Sequence, residues 1–105
     1  MSDKLKVTLL FDIYSPLLTD KQRDTLDLYC NEDLSLAEIA ETAGTTRQAV
    51  MNCILKCEKR LAELEESFGL YEKSKRAGAL LEKLGEHTDG SGEASVLIEE
   101  LKALI

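Results

Sequence analysis

Between residues 19 and 48 the chain repeats one short device three times: a Thr or Ser, two intervening residues, then a Gln or Glu. The copies are Thr19 with Gln22, Ser35 with Glu38, and Thr45 with Gln48. In such a capping box the hydroxyl accepts a hydrogen bond from the backbone N–H three residues on. The longer side chain reaches back to accept from the N–H of the capping residue. Two of the four backbone N–H groups that a helix start leaves unpaired are satisfied in this way. The device predicts helix starts at 20, 36 and 46. Starts so closely spaced demand short helices packed as neighbours, and no run of β-branched alternation competes with them.

Apolar spacing supplies the rest. Leu5, Leu9, Ile13 and Leu17, widened by Leu10 and Tyr14, predict a helix over 4–15 that Pro16 ends or kinks near Tyr14. Leu26, Tyr29 and Cys30, with Leu28 beside them, form the inner face of a helix over 20–30, and residues 31–34 make a turn. Leu36, Ile39 and Ala40 point inward from a helix over 36–42. Gly44 sits where the chain must leave that helix in a left-handed turn. Val50, Ile54, Cys57, Leu61, Leu64 and Phe68 step by four, three, four, three and four. That stripe predicts one helix over 46–68, roughly 34 Å long. A compact three-helix unit covers only its first half, so Leu61, Leu64 and Phe68 need another surface.

Two further stripes follow. Leu70 or Tyr71, Ser74, Ala77, Leu81 and Leu84, with Leu80 beside them, predict a helix over 70–84. Val96 or Leu97, Leu101, Leu104 and Ile105 predict one over 94–104. The polar, glycine-containing run EHTDGSGEA, 86–94, breaks them apart. This pair either folds back on the long helix or pairs with a second copy. The fold class read from the sequence is therefore all-α. Residues 1–68 form a helix-turn-helix domain with a long fourth helix. Residues 69–105 form a C-terminal helical extension suited to building a homodimer.

Charge and cysteine usage narrow the function classes. The 105 residues carry a formal net charge of −7, which opposes non-specific attraction to nucleic acid or anionic lipid. Residues 46–60 reverse that balance, with four Lys or Arg against Glu58 alone. No window approaches eighteen apolar residues and no signal-peptide pattern opens the chain, so no membrane association is expected. Free thiols at Cys30, Cys53 and Cys57 fit a cytoplasmic protein. Cys53 and Cys57 stand four apart on a helix, a spacing open to metal. The second ligand pair is missing and His87 is the sole histidine, so core packing of Cys57 is the stronger reading. His87 reads as an exposed loop residue. No glycine-rich phosphate loop and no paired nucleophile and base stand out, and neither an enzyme nor a cofactor is expected.

A helix-turn-helix needs a small residue where its two helices cross and a polar N-terminal face on the second helix for the major groove. Ala40 is the small residue, and Val50 and Ile54 hold the second helix to the body. Thr45 and Thr46 at the helix start suit phosphate. Arg47 suits guanine, Gln48 suits adenine, and Asn52 lies one turn on. Lys56, Lys59 and Arg60 suit phosphate as charge. Five of these have a structural alternative. Gln48 can close the capping box, Arg47 can pair with Glu38 or Glu41, and the three later cations can form a solvated face beside Glu63. Met51 and Leu55 stand near the groove side, where they can meet thymine methyls or pack under another helix.

LLTDKQR at 17–23, LAEIAE at 36–41 and TRQAV at 46–50 are similar to the YlxM-like family of small bacterial helix-turn-helix proteins. The resemblance covers about residues 5–72. Members of that family resemble region 4 of bacterial sigma factors, and their genes typically lie beside those for the signal recognition particle GTPase. The resemblance therefore implies a DNA-binding regulatory protein linked to that pathway. The alternative is a non-catalytic module that binds a protein or RNA component of that pathway, such as the GTPase or the particle RNA, and no longer binds DNA. It places Arg47, Gln48, Asn52 and Lys56 where a sigma-like recognition helix presents its readers, and it carries no catalytic or cofactor residue. This chain departs from the family at Met51, where an aromatic is usual, and at Leu55, which is often basic.

Overall fold

The computed structural model describes residues 3–90 and 92–105. Within them the chain is all-helical: α1 (Lys4–Tyr14), a single 3-10 turn (Ser15–Leu17), α2 (Asp20–Cys30), α3 (Leu36–Ala43), α4 (Arg47–Phe68), α5 (Leu70–Glu86) and α6 (Gly92–Ala103). It divides into two compact units, one ending at Gly69 and the other spanning Leu70–Ile105.

The first unit follows its caps. Thr19 and Ser35 each form the full reciprocal box, with Gln22 and Glu38 bonded back to the capping N–H groups at 3.1 and 3.0 Å. The Ser35 N–H stabilises the Glu38 carboxylate and holds its pKa below the ordinary value. Pro16 enters the 3-10 turn after α1, where its fixed φ fits and its missing N–H costs nothing. Arg23 pins this corner, donating to the carbonyls of Ser15 and Leu18 at 3.1 Å each and to Asp20 at 3.1 Å.

α4 is the centre of the unit, and α1, α2 and α3 all pack on it. Val50, Ile54, Cys57, Leu61 and Leu64 are buried along it, as the stripe requires. Phe68 does not continue the stripe; it is half exposed at the last turn. The surface that covers the second half of α4 is α1. The Tyr14 hydroxyl donates to Glu65 Oε1 at 2.7 Å across 51 residues of sequence. α1 buries Val7, Leu10, Phe11 and Tyr14, and not the stripe running through Leu5 and Leu17, both of which are exposed. Apolar residues occur almost all round this helix, so two helical stripes compete. Packing of Phe11 and Tyr14 against α4 selects one. Lys4 ties the start of α1 to the turn before α3, bonding Asp33 at 2.6 Å and lying 4.3 Å from the Tyr29 ring centroid. That bond lowers the Asp33 pKa and raises that of Lys4. Asp33 adopts φ 53°, a left-handed conformation that Asp tolerates better than most residues.

In the second unit α5 and α6 pack on each other. Lys102 bridges to Glu82 at 2.9 Å, and Ile105 Cδ1 lies where a β-carbon on Gly78 would be 3.7 Å away. Ile98 is the buried side chain of this unit, whereas Leu97, Leu101, Leu104 and Ile105 are exposed. The sequence stripe ran one residue to the side, because Val96, Leu97 and Ile98 offer three adjacent apolar choices. His87 is exposed after α5, and Ser91, within the polar break, lies outside the described residues.

Candidate nucleic-acid interface

α3 ends in a six-residue lock. The Thr45 N–H bonds the Ala40 carbonyl at 3.0 Å and the Gly44 N–H bonds that of Glu41 at 3.4 Å, a Schellman arrangement. Gly44 stands at φ 67°, and a β-carbon there would meet nothing within 4 Å. Its requirement is conformational and not one of space. Ala40 is buried beside Ile39 at the crossing with α4. The turn is thus a helix-turn-helix whose angle is fixed by backbone bonds and one small side chain.

The second helix starts one residue later than the sequence spacing suggests. Thr46, not Thr45, is the N-cap, and its hydroxyl accepts from the Ala49 N–H at 3.1 Å. Ala49 then occupies the third helical position and has no side chain to bond back, so no capping box forms there. Gln48 is released from that role. Its Nε2 instead donates to Asn52 Oδ1 at 3.1 Å, joining two of the proposed readers.

Thr45, Thr46, Arg47, Gln48, Asn52, Lys56, Lys59 and Arg60 are all exposed. At about 100° per residue they do not share one direction. Gln48, Asn52, Leu55 and Lys59 form a ridge opposite the buried Val50, Ile54 and Cys57. Lys56 and Arg60 flank that ridge on the α2 side. Arg47, the first residue of α4, leaves on the other flank. The fold therefore brings Gln48 and Asn52 together and sets Arg47 apart from them. None of Arg47, Lys56, Lys59 and Arg60 makes an ion pair among the described residues. Met51 is partly covered, while Leu55 is 47% exposed on the ridge itself.

The fold adds one residue that the sequence reading passed over. Lys21, in the first turn of α2, lines a groove of about 360 Å³ with Gln22, Ala49, Asn52, Cys53 and Lys56. It also lines an adjoining groove of about 420 Å³ beside Leu28, Thr45 and Ala49. A cation from α2 thus stands on the same side of α4 as Lys56. Its only signal in the sequence was its place in a first helical turn, where a Lys is ordinarily solvated.

The thiols sit elsewhere. Cys57 is buried, with its sulfur 3.9 Å from the Gln22 carbonyl, and burial pushes its pKa up to about 12. Burial likewise raises that of Cys30. Among the described residues no group of three or more His, Cys, Asp or Glu could hold a metal, and no helix is long and apolar enough to cross a membrane.

Comparison with known proteins agrees with this architecture. The family described as "Putative helix-turn-helix protein, YlxM / p13 like" matches residues 1–101. A UPF0122 protein of Clostridium kluyveri is 49% identical over 75 residues, covering 71% of this chain and 68% of its own length. A UPF0122 protein of Desulforamulus reducens is 39% identical over 107 residues, covering 100% and 92%. One from Clostridium novyi is 36% identical over 111 residues, covering 100% and 96%.

Proposed function

The chain belongs to this family of helix-turn-helix proteins, and from that premise we propose that it is a DNA-binding regulatory protein of the cytoplasm. The observation that carries the reading is the open face of α4. Within an acidic chain, α4 leaves Arg47, Lys56, Lys59 and Arg60 exposed and unengaged by any carboxylate among the described residues. Thr45, Thr46 and the unpaired N–H groups of the first turn of α4 meet phosphate. Gln48 and Asn52 meet base edges from the ridge, and Arg47 reaches a base or phosphate from the flank.

Four cationic side chains that neutralise phosphates, and so release the counterions condensed there, give a slope of log affinity on log salt of about −3.6 for one copy. Fluorescence anisotropy with labelled, sheared genomic DNA at low and moderate salt measures it. The double change Arg47→Glu, Lys56→Glu should abolish binding without unfolding the protein. Absence of binding at low salt by folded protein would refute the reading.

A second reading is favoured by Leu55, an exposed apolar side chain in the middle of the proposed base-reading ridge. In it α4 docks on a protein or RNA component of the signal recognition particle pathway. Binding to the particle RNA or its GTPase that is lost in Leu55→Lys, with no DNA binding, would replace the first reading by this one.

A further inference from the structure

Gln48 and Asn52 stand on adjacent turns of one helix face, where side chains four residues apart can meet. Gln48 Nε2 donates to Asn52 Oδ1 at 3.1 Å. The bond is available because of where α4 begins. With Thr46 as the N-cap, the third helical position falls on Ala49, and Gln48 has no capping N–H to answer. Both side chains are exposed on the open ridge. No carboxylate stands within a turn to compete for the Gln48 amide: Gln48 is flanked by Gly44, Thr45 and Met51, and Asn52 by Ala49, Leu55 and Lys56.

A free glutamine amide is ambiguous towards purines. It carries two N–H donors and one carbonyl acceptor. Adenine shows the major groove an acceptor at N7 and a donor at N6, whereas guanine shows two acceptors, N7 and O6. The carbonyl with one N–H matches adenine, and the two N–H groups together match guanine. The bond to Asn52 takes one N–H out of this choice. What remains for the groove is one donor and one acceptor, the adenine pattern. A guanine O6 would meet the Gln48 carbonyl, acceptor against acceptor.

We propose, resting on the DNA reading of α4, that Asn52 is a positioning residue that makes Gln48 specific for adenine, the two side chains acting together as one reader of one A·T pair. In water such a pair is weak. In the groove, where water is excluded, it keeps the second Gln48 N–H satisfied while the first meets the base. A group at position 52 that accepts preserves the pattern. A group that neither accepts nor donates returns the amide to its ambiguity.

Selection of random-sequence duplexes by the full chain tests this, followed by anisotropy on the chosen duplex and on its A·T to G·C changes. The position read by Gln48 is the one whose preference disappears in Gln48→Ala. There the wild type should favour adenine over guanine about tenfold or more. Asn52→Ala should cut that ratio at least about fivefold. Asn52→Asp, whose carboxylate still accepts from Gln48, should keep the ratio although its charge weakens binding to every duplex. A side chain that served the fold alone would lower both affinities alike and leave the ratio unmoved. Guanine favoured at that position would overturn the proposal. So would a ratio unchanged in Asn52→Ala, or one lost equally in Asn52→Asp. DNA binding whose base preference is indifferent to Gln48→Ala would overturn it while leaving the DNA reading intact. No binding to any duplex by the folded wild type would remove the DNA reading itself, and the proposal with it.

Discussion

Removing the Thr46 hydroxyl should destabilise the first unit, and removing that of Thr45 should not. The two threonines are adjacent and both exposed. Only Thr46 accepts from a helix N–H, that of Ala49 at 3.1 Å. Loss of an N-cap acceptor costs about 1 kcal/mol, within a range of roughly 0.5–2. An exposed hydroxyl with no such bond changes stability by less than about 0.5 kcal/mol. For a unit of this size 1 kcal/mol lowers the melting temperature by about 4–8 °C. Urea unfolding followed through the amide NMR signals of Val50 and Ile54 isolates the first unit from the second. Thr46→Ala should lower the midpoint clearly, Thr46→Ser should recover most of it, and Thr45→Ala should overlay the parent. Equal losses for Thr45→Ala and Thr46→Ala would refute the assignment of the cap and restore a helix start at 46.

Leu61→Ala empties a fully buried position between α1 and α4 and should cost about 2–5 kcal/mol, read by the same unfolding assay. Gly44→Ala should cost about 1 kcal/mol through its left-handed φ alone, because the added methyl touches nothing. Gly44→Asn, which tolerates that conformation, should cost less. Cys57 should be the last thiol alkylated at pH 8, and mass spectrometry after N-ethylmaleimide should find it modified only in denaturant. Because its pKa rises from about 9 to about 12 on folding, its contribution is fully present below pH 9 and is lost as pH climbs toward 12. Cys57→Ala should flatten that decline in pH-dependent unfolding.

Helix order and ends were largely legible because they are written locally. Thr19, Ser35, Pro16 and Gly44 act on neighbours within a few residues, so spacing alone places them. The third cap slipped by one because Thr45 and Thr46 are chemically equal, and only the length of the Schellman turn decides between them. The buried face of α1 was legible only in part: Leu10 and Tyr14 stood in the expected stripe, but Leu5 and Leu9 make as good a one until α4 is in place. Ile98 was hidden for the same reason among its apolar neighbours. At the interface, residue types and exposure on α4 could be read from its periodicity. The bond between Gln48 and Asn52 follows from the shifted cap. The approach of Lys21 depends on α2 crossing α4, which nothing within α2 announces.

The bond from Tyr14 to Glu65 also bears on how the chain comes together. α3 and α4 are sequence neighbours and meet at little entropic expense, whereas α1 must close a loop of some fifty residues to reach the far end of α4. The turn that presents the proposed readers is assembled from local contacts. The far half of α4 depends on a docking event of high contact order. A nascent chain has its helix-turn-helix residues in hand before Glu65 exists to receive Tyr14, so α1 is the piece that completes the unit, although it is made before the helices it joins.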